Sequence, residues 1–588
     1  MGTACVPQQP HHPDGPAPPE FPAVAPHASE ATRLLCGGAY VDADYRDRVI
    51  EELYLHEQRI VAPSLGFDAA RVLAHALRAR RQELLWSAAV VGLWTVGIAV
   101  TGGLLAGLLL PSLLLGLAAW VRGGAQEPPF HRLFPAFVLR WAGRIQFTMY
   151  VFLVVAMAFG ADPSGSGSSS GSSDSGSSYG SSYGASGSGG FDDLGLPFAV
   201  TVEPWRAWPA IGVLALIAWC AAVQRDGFAR AFAAELSPQR FPDVANDPAE
   251  QAEGERFARL TGRIRREQHA PLIMYDEERP FCGAGAAHDT WVLAVELRPD
   301  EEQKRRQPLG NRVILDRIRP LIEQLREPAE HAGTPVRDRL RGLEIDECVF
   351  LPVEGLTDRD QAPYTPEAFE RHWLRAVEEG GEKRRHFLRI RVGGWEEELV
   401  VTVYVRVHTQ GRMLMLEIAP HVMAPVRQDF KRADHLAHRV RTGPVPARIA
   451  STATLVPGSA GRALVSLFRG ALFAWRLLTG GHRSALPEGP ALSVRELAAI
   501  DTGSTFQEMD VARYLRSIQD RVGRGVRLAL AEAGYETGEF VQKIVNISNG
   551  AVSINRVEGS TFAIGEKASA TTTGGPGPQK GASGHGGT

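Results

Sequence analysis

The segment LLWSAAVVGLWTVGIAVTGGLLAGLLLPSLLLGLAAWV occupies residues 84–121 and contains no charged side chain. A helix rises about 1.5 Å per residue and needs about 20 apolar residues to cross the roughly 30 Å hydrocarbon layer of a bilayer. The segment is therefore too long for one crossing. Thr101, Gly102 and Gly103 lie near its middle and favour a turn. We expect a transmembrane helical hairpin with crossings at 84–100 and 104–121.

Two further apolar runs, at residues 145–161 and 208–224, predict a third and a fourth crossing. Basic residues in short loops stay on the cytoplasmic side of a membrane. The connection at 122–144 is rich in arginine, whereas residues 145–205 contain no lysine or arginine. This contrast predicts a basic cytosolic loop at 122–144, an external Ser/Gly-rich loop at 162–207, and two cytosolic termini. The alternative, core helices of a soluble protein, does not explain the asymmetry.

Composition excludes several classes of protein. The 588 residues carry a formal net charge of -3, which argues against an extended nucleic-acid surface. The five cysteines are scattered and form no C-x-x-C pair, so the sequence predicts neither a disulfide framework nor a zinc site. No cofactor or metal is expected.

The remaining chain divides into units that are predicted to be cytosolic. These are a disordered tail (1–28), a helical lead-in (29–83), an α+β domain (225–440), an amphipathic helix (459–479), a helix (505–533), a strip of short strands (541–570) and a second disordered tail (571–588). Thr505 and Glu508 predict a capping box at the start of the helix at 505–533.

The α+β domain is predicted from alternating apolar residues. Three runs, around Leu388–Val392, Leu399–Val407 and Leu414–Ile418, alternate with period two and are separated by glycine turns. They predict an antiparallel meander with one wet face. Helices around 311–325 and 365–379 are expected to cover the other face.

The apolar helix predicted at 459–479 contains Arg462, Arg469 and Arg476 at seven-residue intervals. Seven residues make nearly two helical turns, so the three arginines share one stripe. This pattern is typical of a helix in the membrane interface whose arginines contact anionic headgroups. The alternative is a helix of the protein core whose arginines reach solvent.

The strip at 541–570 consists of short apolar beads separated by Asn, Ser and Gly. Such short strands have open edges and do not bury a core of their own. We therefore expect the strip to pair with another copy of the chain, giving a homo-oligomer, or with a protein partner.

Two stretches carry a family resemblance. The run MYDEERPFCGAG at 274–285, followed by Trp291, and the run from Asn546 to Ala568 resemble parts of uncharacterised multi-pass membrane proteins of high-GC actinomycetes. The resemblance implies placement in a bacterial plasma membrane and implies no catalytic activity.

Candidate chemistry is sparse. Gly283 and Gly285 give part of a phosphate-binding loop, but the run from Thr290 alternates as a strand, whereas such a loop must open a helix. An enzyme would have its site around Glu277, Cys282, His288 and Asp289. The apolar cores of the crossings lack the ionisable groups that transport pathways use. The sequence therefore favours a membrane scaffold, sensor or assembly protein, with a membrane-tethered enzyme as the alternative.

Overall fold

The computed structural model describes residues 25–122, 129–159, 203–251, 254–300, 309–326, 340, 342–378, 381–394, 398–442, 444, 446, 451–479, 485–500 and 503–548. Most of the predicted external loop, residues 549–570 of the predicted strip and the tail at 571–588 lie outside the described residues. The first predicted tail ends earlier than expected, because Pro26–Ala28 forms a turn whose Pro26 carbonyl accepts a hydrogen bond from Thr32.

The helices in chain order are α1 (Glu30–Val41), α2 (Ala43–Ile50), α3 (Ala69–Val100), α4 (Leu109–Arg122), α5 (Phe130–Ala158), α6 (Ala207–Ala234), α7 (Glu255–Gln268), α8 (Asn311–Glu323), α9 (Pro366–Glu378), α10 (Gln428–Thr442), α11 (Ser459–Thr479), α12 (Thr505–Glu532) and α13 (Gly538–Ser548). The strands are β1 (Leu272–Tyr275), β2 (Ala286–Ala287), β3 (Trp291–Glu296), β4 (Glu344–Pro352), β5 (Arg385–Gly394), β6 (Leu399–Gln410) and β7 (Met413–Met423).

Four helices are long and apolar enough to cross a membrane: α3, α4 with the 3₁₀ turn before it, α5 and α6. The chain turns between α3 and α4 at Gly102 and Gly103, whose φ angles of 63° and 93° favour glycine. We call these four helices the apolar bundle. Its core contains Trp94, Leu105 and Ile217.

Two predictions about the bundle are wrong. The helices do not form two pairs, because α4 packs against α5 and α11, while α3 packs against α6 and α11. The connection at 122–144 is not a loop throughout, because α5 begins at Phe130. Apolar side chains continue at helical spacing between its arginines, and Phe134, Val138 and Trp141 lie exposed along it.

The predicted lead-in forms a helical layer beside the bundle. α1, α2 and the first half of α3 pack with the end of α6 and with α10 around Leu35, Phe232 and Phe430. Both α3 and α6 therefore run without interruption from this helical layer into the apolar bundle.

The α+β domain contains a curled sheet with the strand order β1-β4-β5-β6-β7-β2, in which β3 also pairs with β7. β5, β6 and β7 form the antiparallel meander. The sheet as a whole is mixed rather than antiparallel, because β1 pairs with β4 in parallel. A parallel partner requires a long connection, and here β3 and α8 lie between the two strands in the chain.

The face predicted to be wet is covered at its centre. Phe281, from the loop after β1, packs against the rings of Phe350, Phe387, Tyr404 and His421 at tilted or edge-on angles. Burial lowers the pKa of His421 to about 4, so this imidazole is neutral at physiological pH. The opposite face contacts α8 and α12.

Helix α12 belongs to the core of the α+β domain, which the predicted boundary at residue 440 excludes. Its side chains Val511, Leu515, Ile518 and Val522 are buried against the sheet and α8. Its capping box is formed by Ser504 and Gln507, one residue earlier than predicted. The boundary was wrong because the chain leaves the domain after β7, contributes α10 to the helical layer, and returns to the domain with α12.

The strip predicted at 541–570 is helical in its first part, because α13 extends to Ser548. Phe540 is buried and Ile544 packs against the same core, a four-residue spacing that suits a helix. Lys543 donates a hydrogen bond to the carbonyl of Ala294 on β3, at 2.8 Å. α13 thus packs against β3 of the α+β domain.

Candidate functional site

Helix α11, which carries the three predicted interface arginines, lies against the apolar bundle and runs antiparallel to α3. Ser459 at its start accepts a hydrogen bond from the indole nitrogen of Trp94, at 3.3 Å. Further along, Gly470 lies against Leu84. Near its end, the guanidinium of Arg80 lies 4.2 Å from the ring centroid of Phe473. The helix therefore occupies the space between α3 and α4.

Glycines allow this close packing. A Cβ atom added to Gly461 would lie 2.6 Å from the carbonyl oxygen of Ser112, and one added to Gly116 would lie 3.0 Å from the Cα atom of Gly461. Small residues at such crossings are typical of helices that pack inside membranes. These glycines are the packing residues of the site that the sequence analysis missed. Their signal was present as small residues within apolar helices.

The chain reaches α11 through the apolar bundle. Ser451 accepts a hydrogen bond from Arg225 near the end of α6, at 2.9 Å. Val456, Ala460 and Ala463 are then buried in the core of the bundle. We call residues 451–479 the re-entrant segment, because the chain enters the bundle beside α6 and leaves it along α3.

The three arginines on α11 have different partners. Arg476 pairs with Glu51 at 2.8 Å, and Arg469 pairs with Asp44 at 3.1 Å. Arg462 instead donates to the carbonyl of Leu455 at 2.5 Å. Within the described residues, no acidic side chain lies within salt-bridge distance of Arg462.

An apolar groove separates α11 from α4 beyond the Gly116–Gly461 contact. Its volume is about 610 Å³, and Arg469 is the single charged residue in its lining. The outer side chains of both helices are exposed. They are Leu113, Leu117 and Trp120 on α4 and Leu464, Phe468, Leu472 and Trp475 on α11. A contiguous exposed apolar surface of this kind marks contact with lipid or with a partner.

The four residues of the alternative enzyme site do not converge. Cys282 is buried, and burial raises the pKa of its thiol to about 12, so it is protonated at neutral pH. His288 and Asp289 are exposed, and their closest charged atoms are 3.9 Å apart. Glu277 is exposed and lies 3.8 Å from Lys383. No contact among the described residues joins the thiol to the imidazole.

The glycine loop holds a carboxylate of the chain itself. Gly283 and Gly285 both have positive φ angles, and their backbone N–H groups donate to one oxygen of Glu496 at 2.8 and 3.0 Å. A side chain at Gly285 would collide with the backbone of Val422. The loop thus ties the segment at 485–500 to the sheet.

No metal site is evident in the described residues, where no group of three His, Cys, Asp or Glu side chains is placed to bind an ion. Asp434, which lies close to His435 and His438 in the sequence, pairs with Arg33 at 2.7 Å.

Fold and site together define a protein with four helices able to cross a membrane, a re-entrant segment between two of them, and a mixed-sheet α+β domain. Residues 290–562 match the AbeC-like domain family. The matched range begins at β3, includes α11 and α12, and excludes the four long apolar helices. No curated protein and no solved structure shows significant similarity to the chain.

Proposed function

We propose that this protein is a multi-pass protein of a bacterial plasma membrane that holds an AbeC-like α+β domain in the cytosol as a non-catalytic scaffold. The observation that carries the proposal is the position of α11. This helix starts in the core of the apolar bundle and ends against the helical layer, where Arg476 pairs with Glu51. The chain on both sides of α11 contributes to the α+β domain, which is therefore attached to the bundle at several points.

The geometry of the loop at 276–290 supports a scaffold over an enzyme. A nucleophilic cysteine requires a thiolate and a base within hydrogen-bonding reach. Cys282 has neither, because its thiol is buried and protonated and no base contacts it among the described residues. The carboxylate of Glu496 occupies the backbone donors of the neighbouring glycine loop.

Orientation follows from the basic residues. Arg78 and Arg80 precede the apolar part of α3, and Arg225 and Arg230 follow that of α6. Both positions fit the cytosolic side, since residues 145–205 contain no basic group. The Ser/Gly-rich segment then lies outside the cell.

Cysteine labelling tests this topology. In a Cys5→Ser background the other native cysteines are buried, namely Cys36, Cys220, Cys282 and Cys348. We expect an impermeant maleimide to label Ser170→Cys in intact cells and to label Asp300→Cys only after the cells are permeabilised. Labelling of Asp300→Cys in intact cells, with Ser170→Cys protected, would show that the topology is inverted. Labelling of neither site before permeabilisation would place both on the inside.

A further inference from the structure

The start of α11 brings hydrogen-bond donors into the apolar bundle without acceptors. The backbone N–H groups of Ala460 and Gly461 belong to the first turn of the helix, so they have no partner within α11. Both residues are buried, and nothing among the described residues accepts a hydrogen bond from these two groups. Ser459 is also buried, and its hydroxyl oxygen accepts the bond from the Trp94 indole, which leaves the hydroxyl proton to donate. Three donors therefore meet at one end of the helix.

Ser112 of α4 adds a fourth donor at the same place. Its side chain is fully buried, and its hydroxyl has no hydrogen-bond partner within the described part of the chain. Ser112 lies one helical turn before Gly116, and its carbonyl oxygen lies 2.6 Å from a Cβ atom built on Gly461. The hydroxyl therefore lies beside the first turn of α11. Buried polar groups almost always have a partner, so this cluster of donors requires an acceptor.

Arg462 makes this end of α11 positive. Its guanidinium donates to the Leu455 carbonyl and lies over Gly458, with Nη1 2.8 Å from a Cβ atom built there. The side chain thus points toward the start of α11 and away from the carboxylates that pair with Arg469. The macrodipole of α11 adds partial positive charge at the same end. Because Arg462 is exposed, an ion reaches this end of the helix from the surface of the bundle.

The bundle has no carboxylate of its own to balance this charge. Residues 84–122, 130–158, 207–225 and 451–479 contain no aspartate or glutamate. A charge in an apolar region needs a counter-charge or strong hydrogen bonds. The balancing charge must therefore come from outside the bundle.

The chemistry of these groups selects an anion. A cation would be repelled by Arg462, and a water molecule must donate as well as accept, whereas the site already has an excess of donors. We propose that one halide ion binds at the start of α11 and accepts hydrogen bonds from the two serine hydroxyls and the two backbone N–H groups. The site lies within the protein, so binding in detergent does not depend on the orientation proposed above.

Chloride NMR tests the proposal. The full-length protein in a nonionic detergent is titrated with sodium chloride in place of sodium gluconate, and the linewidth of the chloride signal reports binding. We expect broadening beyond that of a detergent blank. Ser112→Ala and Arg462→Gln should each weaken chloride binding about tenfold, because the first removes a hydrogen bond to a charged group and the second removes the balancing charge.

Two further variants serve as matched controls. Ser87→Ala removes a buried serine of α3 that lies about 10 Å of helix before Trp94. Arg476→Gln removes an arginine from the other end of α11, where it pairs with Glu51. Both controls should bind chloride as the unmodified protein does.

Thermal unfolding in the two salts separates a binding role of Ser112 from a structural one. In gluconate, Ser112→Ala should be at least as stable as the unmodified protein, because it removes a buried hydroxyl that has no partner in the described residues. In chloride, the unmodified protein should gain stability that Ser112→Ala does not, since a ligand that binds only the folded state stabilises it. An equal loss of stability in both salts would give the hydroxyl a structural role and overturn the site.

Chloride linewidths that match the detergent blank would also overturn the proposal, because water alone would then occupy the donors. The same holds for broadening that is unchanged in both Ser112→Ala and Arg462→Gln, since the ion would then bind elsewhere on the chain. Either result would leave the proposed topology intact, which cysteine labelling tests separately.

Discussion

Glu347 on β4 connects α8 and α9, two of the helices that pack on its side of the sheet. It accepts hydrogen bonds from Arg312 and Arg319 of α8 at 3.0 and 2.6 Å, and from the Trp373 indole of α9 at 2.6 Å. His386 of β5 lies 3.1 Å away. Burial acts to raise the pKa of Glu347, but the hydrogen bonds from His386 and Trp373 and the charge of Arg312 lower it to about 2.

We expect Glu347→Gln to lower the free energy of unfolding by about 2 to 3 kcal/mol at neutral pH, because two arginines would lose their shared carboxylate. The depressed pKa means that the charged carboxylate stabilises the fold fully above about pH 4.5 and loses this effect as the pH falls toward 2. Thermal unfolding at a series of pH values, followed by circular dichroism, measures both effects. The difference between the two proteins should shrink below pH 4.5.

Glu344→Gln is the matched control, because Glu344 lies on the same strand but is exposed and pairs with Arg391 at the surface. Exposed ion pairs contribute at most about 1 kcal/mol. A loss in Glu344→Gln as large as that in Glu347→Gln would show that the buried hydrogen bonds have no special role.

The re-entrant segment depends on the glycine contact between α4 and α11. Gly461→Leu would drive side-chain atoms into Ser112 and Gly116, and we expect it to destabilise the apolar bundle by about 1 to 3 kcal/mol. Gly212→Leu on α6 is the matched control, since a Cβ atom at Gly212 meets nothing within 4 Å. Unfolding in detergent, monitored by tryptophan fluorescence, compares the two variants. Equal stability of both would mean that α11 does not pack closely on α4.

Local patterns predicted local elements well. The period-two runs between Leu388 and Ile418 predict strands that pair with their neighbours in the chain, and the structure forms that meander. Thr365 and Pro366 predict the start of a helix, and the Thr365 hydroxyl accepts a hydrogen bond from the Ala368 N–H.

Long-range packing was not predictable in the same way. The sequence of α11 is compatible with a membrane interface or with a protein core. Where α11 packs depends on its close contact with Gly116, which lies some 340 residues earlier in the chain. The same limit applies to Glu347, whose partners extend from Arg312 to His386. When the partners of a residue are this distant in the chain, the amino acids next to it in the sequence do not indicate them.

At the scale of the whole molecule, we expect the segment after α13 to mediate self-association. Residues 549–570 retain the predicted pattern of short apolar beads, and we propose that they pair with a second copy of the chain. Deleting 549–588 should lower the oligomeric mass in detergent, measured by light scattering, without changing circular dichroism. Deleting 541–588 should also destabilise the α+β domain, because it removes Ile544 and Lys543 from the sheet. If neither deletion changes the oligomeric mass, residues 549–570 do not contribute to self-association.

Helix α3 is continuous over 32 residues, about 48 Å, and its ends lie in different parts of the molecule. Asp68, at its N-terminus, accepts hydrogen bonds from Gln268 and Arg265 of α7, which leads directly into β1. A straight rod converts a small rotation at one end into a large displacement at the other. If thinning of the bilayer tilted α3 by about 10° around Val100, Ala69 would move by roughly 8 Å and pull α7 with it. In the proposed topology, α3 therefore connects the bilayer to α7 and, through α7, to the first strand of the sheet.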